Sequence, residues 1–284
     1  MVPMIPAGTD LLIIGGLTVD RLDDGSTVAG GSVLHGARAT VAAGRSVATI
    51  TVAGQERVAL AALDELAALG PSLVRSVADS IWFEIRESGG RRRLTLEAAG
   101  EELMVTTEAV GSFRPGAVLL APVARELSVA SVVAARSSPV LVGALQGWLR
   151  SLEPGKVVRP LPLAALPDDL SESFSHFDAL VASEEDLSAM GADPTAQLVA
   201  LRRHVADRPL LVVTTGADGA WVDDATRGRH HHPAPREVDG ASTIGAGDTL
   251  AALLTLRLGG GEDPLAAAAD AVSATTELLA AGSV

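Results

Sequence analysis

Two glycines, an alanine and a carboxylate stand together at Gly245-Ala246-Gly247-Asp248, within STIGAGDTL (242–250) and directly ahead of the apolar run AALLTLRL. Gly245 and Gly247 let a backbone turn tightly and bring its N–H groups against a ligand, because no Cβ intervenes. A helix beginning there adds the positive end of its dipole, so the amides of Gly245, Ala246 and Gly247 make an anion site. Such a site suits a migrating phosphoryl group, with donors placed where charge develops. Asp248, at the same helix start, can accept the proton of an attacking hydroxyl. A glycine turn with Asp248 as a first-turn dipole partner explains the same four residues, so the rest of the chain has to separate the two.

Other polar residues fall at the ends of apolar strands. GGLTVD (15–20) ends in Asp20, and Gly30-Gly31 opens the small-residue stretch GGSVLHGARATVAAG (30–44). A carboxylate accepts two neighbouring hydroxyl protons, so Asp20 beside the backbone of Gly30 and Gly31 suits a polyhydroxylated ligand. His35 either donates or accepts in that pocket or is satisfied inside its helix. ALQGWLR (144–150) follows an apolar strand on the side where open α/β sheets bind ligands. It offers Gln146 and Arg150 for substrate or phosphate contact, against a strand-end turn with a solvated arginine. His230-His231-His232 resembles a metal tract, but adjacent residues on an extended connection point different ways, and Pro233 and Pro235 come directly after. That segment is expected as a loop.

The elements that must position these residues alternate in type. DLLIIGGLTVD (10–20) and SVATITVAG (46–54) read as strands with a helix over 32–44 between them, and ERVALAALDELAALG (56–70) is a helix by its apolar spacing. SIWFEIRES (80–88) and RRRLTLEAA (91–99) flank Gly89-Gly90 as a β-hairpin. GAVLLAP (116–122), PVLVGAL (139–145), DALVAS (178–183) and PLLVVTT (209–215) are near-continuous apolar strands, as expected when both sheet faces are covered. Strands alternating with helices imply right-handed crossovers and a mainly parallel sheet. Two helices, beginning near Ala246 and Pro264, close the chain. No internal repeat or low-complexity linker interrupts it, so residues 1–284 read as one α/β domain.

Composition removes several classes. A formal net charge of -13 opposes phosphate backbones and anionic lipid, so neither nucleic acid nor a membrane is expected as partner. The chain has no cysteine, which removes thiolate chemistry and disulfides and suits a reducing cytosol. No run reaches the roughly 18 apolar residues of a membrane span, and MVPMIPAGTD lacks the pattern of a signal peptide. A cytoplasmic protein is expected. IIGGLTVD (13–20) fails the dinucleotide fingerprint in glycine spacing, and the LTVDRL after its glycines alternates like a strand where a helix should begin. No Walker-type G-x-x-x-x-G-K-[ST] occurs, so an oxidoreductase and a P-loop enzyme both lack their motif.

Over nearly its whole length the chain resembles the ribokinase-like, or PfkB-type, carbohydrate kinases. The closing D-T-x-G-A-G-D signature of that family is matched from Thr243 through Asp248, with Ser242 in place of its leading Asp. The resemblance implies Asp248 as catalytic base, Gly245, Ala246 and Gly247 as the anion hole, and Asp20 as the residue that binds substrate hydroxyls. Gly30, Gly31 and Gly44 match the glycines that flank the next helix, and His35 stands where an Asn is expected. Thr214, Gly216 and Gly219 match a T-x-G-x-x-G strand end beside the nucleotide, with Thr243 on the same side. The N-x-x-E motif, which holds magnesium and phosphate through water, falls on Ser183 and Asp186. Asp186 keeps the charge one methylene shorter, and Ser183 lacks the bridging amide. The QGWLR run and IWFEIRESGGRRRL resemble the inositol-kinase-like branch.

What the resemblance implies is a ribokinase-like α/β fold with a mainly parallel central sheet covered by helices on both faces and a small β lid from segments at about 16–30 and 74–98. It implies ATP and Mg2+, and a small polyol or sugar acceptor, foremost a myo-inositol-like polyol, with nucleosides and simple sugars behind it. The alternative is a weakened member that binds such a ligand without turnover, with Ser183, Ser242 and His35 as its evidence. Apolar residues on the hairpin edge lead to the expectation of a homodimer through the lid.

Overall fold

Apolar residues on both sides of a strand call for a covered sheet, and the first strand shows how that is met. In the computed structural model, which describes residues 8–88, 91–205, 207–238 and 244–282, β1 (Thr9–Gly16) is buried along almost its whole length. Leu11 and Ile13 enter one core, while Leu12 and Ile14 enter another on the opposite face. The chain then forms β2 (Thr18–Arg21), β3 (Thr27–Gly30) and α1 (Ser32–Ala42), followed by β4 (Val47–Ala53), α2 (Arg57–Leu69) and β5 (Ser72–Ser76). Next come the hairpin strands β6 (Ile81–Ser88) and β7 (Arg91–Ala98), then α3 (Thr107–Ser112), β8 (Pro115–Leu120), α4 (Val129–Ala135) and β9 (Leu141–Ala144). The last part holds α5 (Asp168–Ser173), β10 (Ala179–Ser183), α6 (Pro194–His204), β11 (Leu210–Thr214), β12 (Ala220–Asp224), β13 (Gly228–His232), α7 (Ala246–Gly259) and α8 (Pro264–Ala280).

Among the described residues, nine strands form the main sheet in the order β13-β12-β11-β10-β9-β8-β1-β4-β5. Pairing is parallel from β5 through β11 and antiparallel for β12 and β13. Helices α1, α2, α7 and α8 cover the face reached by Leu11 and Ile13, and α3 to α6 cover the other. The sheet grows from β1 in both directions, through β4 on one side and β8 on the other. The carboxyl ends of β1 and β8 therefore flank a crevice of the kind where open α/β sheets take their ligands.

A second sheet, of four strands among the described residues, runs β3-β2-β6-β7. It has its own apolar centre, in which Ile81, Phe83 and Leu96 pack with Val123 and Ala124 from the loop after β8. The segment 10–20 is therefore not one strand, as its pattern suggests, but two in different sheets. At the break, a Cβ on Gly16 would lie 2.5 Å from Ile81 Cδ1, and Leu17 N makes the last bond to β4, donating to Val52 O at 3.1 Å. The small sheet also starts later than residue 74. Val74 pairs with Thr51 in the main sheet, so β5 belongs there and the second sheet resumes only at Ile81. Strands β6 and β7 pair antiparallel as expected, with the Gly89-Gly90 turn outside the described residues.

Two further expectations are corrected. The histidine tract is a strand, not a loop: β13 pairs with β12, His231 stacks on Trp221 with centroids 4.8 Å apart, and His230 and His232 share the alternate positions. Residues Asp224 to Gly228 make the turn that returns it, with Asp224 Oδ1 accepting from Thr226 N and Arg227 N. The apolar residues of β6 do not face water either. Ile81, Phe83 and Ile85 are buried within the chain, and Trp82 Nε1 donates to Glu56 at 2.8 Å.

The β9 loop is held by its own aromatic anchor. Trp148 is fully buried, donates from Nε1 to Leu127 O at 2.7 Å, and meets the rings of Phe174 and Phe177 at 5.5 and 6.1 Å. Replacing Trp148 by Ala is expected to cost about 3–5 kcal/mol, measured by urea unfolding. A loss below about 1 kcal/mol would mean the cavity collapses and the ring anchors nothing.

Candidate active site

A cleft of about 200 Å³ opens above the carboxyl ends of the central strands. Asp20, Gly31, His35, Gln146, Arg150, Asp186, Gly245 and Asp248 all line it, although the sequence spreads them over more than two hundred positions. Each arrives from the end of a strand or the start of a helix. Asp20 comes from β2, Gln146 and Arg150 follow β9, Asp186 follows β10, and Asp248 lies in the first turn of α7. Gly30 adjoins Asp20: a Cβ there would stand 2.7 Å from Asp20 Oδ2.

The start of α7 is shaped by Gly245, whose φ of 82° lies in the left-handed region. A Cβ at this position would fall 2.3 Å from His35 Nδ1, so both conformation and space call for glycine. Among the described residues no side chain caps the helix, which leaves its first amides available to a ligand. Gly247 is open, with nothing within 4 Å of a Cβ placed there. Asp248 does not stand alone, since Ser32 Oγ donates to its Oδ1 at 2.5 Å. Ser32 is the first residue of α1 and is 1% exposed. Its neighbour Gly31 has φ 99°, with Gly16 O 2.4 Å from where a Cβ would be. The double glycine thus lets α1 start against β1 and places Ser32 beside Asp248. Sequence reading missed Ser32; its signal is a hydroxyl residue directly after Gly-Gly at a helix start.

His35 is buried, and its Nδ1 has no hydrogen-bond partner among the described residues. Burial holds its imidazole below the ordinary value of 6.5, while the nearby Asp248 carboxylate works in the opposite direction. Arg150 lies over Phe83, with its guanidinium carbon 5.8 Å from the ring centroid, and donates to Val123 O at 3.4 Å. Phe83, Val123 and Thr18 are further lining residues that the sequence did not single out. On the opposite wall, Asp186 Oδ2 accepts from Ser183 Oγ at 2.7 Å and Ser183 N at 3.2 Å, and Asp186 N returns a bond to Ser183 Oγ. The serine that replaces the expected amide thus orients the aspartate through a reciprocal box.

Thr214, Gly216 and Gly219 are not part of the cleft lining. They sit one strand further out, where Thr214 pairs with Ser183 and accepts from Glu184 N at 3.0 Å. Thr215 N and Oγ1 both donate to Gly219 O there, closing the turn between β11 and β12. Thr243 and Ser242 lie outside the described residues.

The cleft thus brings together the carboxylate in the first turn of α7 and that of Asp20, with apolar residues such as Phe83 and Ile85 between the polar groups of its wall. The family model for pfkB family carbohydrate kinases matches residues 103–279, and the chain belongs to that family. No individually curated protein matches the sequence. Among solved structures, a pyrophosphate-dependent kinase in the ribokinase family, complexed with a pyrophosphate analog and myo-inositol, superposes with a TM-score of 0.75 at 18% identity, covering 95% of this chain and 94% of that one. Arabidopsis thaliana ribokinase complexed with ribose and ATP gives 0.73 at 17% identity, covering 96% and 93%. Ribokinase from Cryptococcus neoformans in complex with ADP gives 0.69 at 17% identity, covering 96% and 94%. These likenesses establish the ribokinase-like fold, with its large, mostly parallel sheet and smaller second sheet. Among the described residues, no helix is long and apolar enough to cross a membrane.

The depressed His35 sets a pH dependence. Below 6.5 the unfolded chain takes up a proton at this residue that the folded chain resists. Its contribution to stability is therefore complete above 6.5 and declines as pH falls towards the folded value. Urea midpoints taken from about pH 8 to about pH 5 should fall more steeply for the wild type than for His35→Asn. Parallel curves for the two proteins would show that His35 is not held neutral by burial.

Proposed function

We propose that this protein transfers the γ-phosphate of ATP to a hydroxyl of a small polyol or sugar, with a myo-inositol-like polyol as the leading acceptor. The observation that carries this reading is Asp248, set in the first turn of α7 with one carboxylate oxygen held by Ser32 and facing the same cleft as Asp20. Asp248 takes the proton of the attacking hydroxyl as its oxygen bonds to phosphorus and the bond to the leaving ADP oxygen breaks. The first-turn amides at Gly245, Ala246 and Gly247 donate to the phosphoryl oxygens as charge develops on them. Asp20 accepts from neighbouring hydroxyls of the acceptor, beside Gly30 and Gly31. Neutral His35, Gln146 and Arg150 complete the polar wall, and Phe83, Val123 and Leu94 offer apolar surface to the C–H faces of a ring.

Asp186 is the residue we assign to magnesium, through water. Ser183 donates to its Oδ2, and Asp186 lines a cleft that Glu185 also lines. All-oxygen donors of this kind fit magnesium, which is usually held by one or two carboxylates together with substrate phosphates. When bound, it supplies charge neutralisation on the donor phosphates. Thr214, Gly216 and Gly219, beyond β10, are assigned to the nucleotide side, and Thr243 is assigned there from the family motif alone. A homodimer through the small sheet, paired at its edge strands β3 and β7 and not through the apolar face of β6, is also part of this reading, and light scattering at the expected dimer mass supports or removes it.

The deciding experiment measures product release with Mg-ATP over a panel of inositols, sugars and nucleosides. Pyrophosphate serves as a second donor, because one structural neighbour is described as pyrophosphate-dependent. Acceptor-dependent turnover is expected with ATP, falling about 10²- to 10⁴-fold in Asp248→Asn. Turnover with pyrophosphate alone would replace the donor and keep the acceptor chemistry. No turnover with any pair, while calorimetry still shows a polyol binding, would make the protein a binding member of the family.

A further inference from the structure

One buried carboxyl group lies outside the chemistry proposed above. Glu126 follows β8 and is 2% exposed, yet it faces no cationic side chain among the described residues. Its carboxylate instead collects backbone amides. Oε1 accepts from Gly16 N at 2.6 Å and Val123 N at 3.0 Å, and Oε2 accepts from Ala124 N at 2.8 Å and Val123 N at 3.1 Å. Burial pushes the carboxyl up, and these backbone donors pull it back. Arg125, directly before it, has φ 59°. That left-handed conformation is uncommon outside glycine, and it lies in the segment that folds Glu126 back onto the amides of its own loop.

The groups that Glu126 holds are those from which the small sheet hangs. Gly16 is the last residue of β1, two positions before β2 begins, so it is the hinge through which the chain enters that sheet. Leu103 follows the exit from β7, and its N–H donates to the backbone carbonyl of Glu126 at 2.7 Å. Val123 and Ala124 pack against Ile81, Phe83 and Leu96 on the sheet's inner face. One residue thus joins the entry hinge, the exit hinge and the packing seat. A separate carboxylate, Glu56, fastens the second entry, into β6, accepting from Ser80 N, Ser80 Oγ and Trp82 Nε1, each at 2.8 Å.

We propose that Glu126 is a positioning residue, whose carboxylate fixes the small sheet over the acceptor side of the cleft. Through Gly16 it sets the start of β2 and hence Asp20, and through Val123 it sets a lining residue and the carbonyl that meets Arg150. Its effect on acceptor binding rests on the kinase reading above; its anchoring of the sheet does not.

The test is built so that the two fail separately. Hydrogen exchange of the wild type and Glu126→Gln is compared in peptides covering 17–30 and 81–98, with 179–183 and 210–214 in the main sheet as reference. The Gln variant keeps one acceptor oxygen but turns an NH2 group towards amide donors that it cannot accept from. Exchange in the small sheet is expected to quicken at least about tenfold, with the reference strands unchanged. Where turnover is measurable, acceptor KM should rise about tenfold or more while donor KM holds within about twofold. Glu126→Asp keeps the charge, shortens its reach by one methylene, and is read in the same way if the Gln variant does not fold. Faster exchange spread evenly over both sheets would make Glu126 a general stability residue, and unchanged exchange would remove its hold on the hinges; either overturns the proposal. A wild type without turnover would sink the kinase reading and leave the exchange comparison to decide this one.

Discussion

Everything in the cleft depends on how closely α1 and α7 approach each other over β1. Gly36 makes that approach possible: a Cβ on it would lie 2.7 Å from Ile13 Cδ1 and 3.3 Å from Ala252 Cβ. The helices meet through glycine and alanine, so their N-terminal turns end up side by side at the same end of the sheet. Ser32 and Asp248, 216 positions apart in sequence, then come within 2.5 Å. A larger residue at 36 would separate the helices and with them the hydroxyl, the carboxylate and the Gly245–His35 contact. Close packing of this kind transmits even a methylene's worth of displacement.

The electrostatics arise from the same geometry. The chain is strongly acidic, with a net charge of -13, and the cleft repeats that bias with Asp20, Glu185, Asp186 and Asp248. Against them stand Arg150 and the positive end of the α7 dipole. An anionic phosphoryl group therefore has few sites of attraction among the lining residues, and they are Arg150 and the first turn of α7. The rest of the wall suits hydroxyls and a hydrated cation. That division is local and does not contradict the overall charge, because helix-terminal amides act over a few ångströms only.

The small sheet is not an appendage. Its centre includes two residues of the β8 loop, and its hinges are held by buried or partly buried carboxylates. The inner residues Phe83 and Ile85 belong to the sheet's own packing and to the cleft wall at once. Burial of those side chains also removes the reason for supposing that β6 must pair with another molecule to cover its apolar face. The edge strands β3 and β7 carry whatever pairing capacity remains.

Much of this was legible in residue order. The parallel strands showed as near-continuous apolar runs because both of their faces are covered, and helix starts at Ala246 and Pro264 were marked by their glycine and proline punctuation. GAGD, Asp20 and QGWLR could be picked out because each sits at a strand end or helix start, where function concentrates in this class of fold. The split at Leu17 was not legible, since LLIIGGLTVD reads well enough as one strand and only the pairing of β2 with β3 and β6 in the second sheet separates its end from β1. The histidine tract misled for a similar reason: its β-pairing comes from Trp221 and its neighbours, not from its own composition. Ser32 and Glu126 were invisible because their partners are distant in sequence or are backbone amides, which carry no residue type. The sequence by itself determined the types of the main helices and parallel strands, the family and the residues at strand ends, because those depend on local periodicity and motif. Only the tertiary structure decided which polar groups meet, because hydrogen-bond partners are set by packing distances between helices that no local pattern encodes.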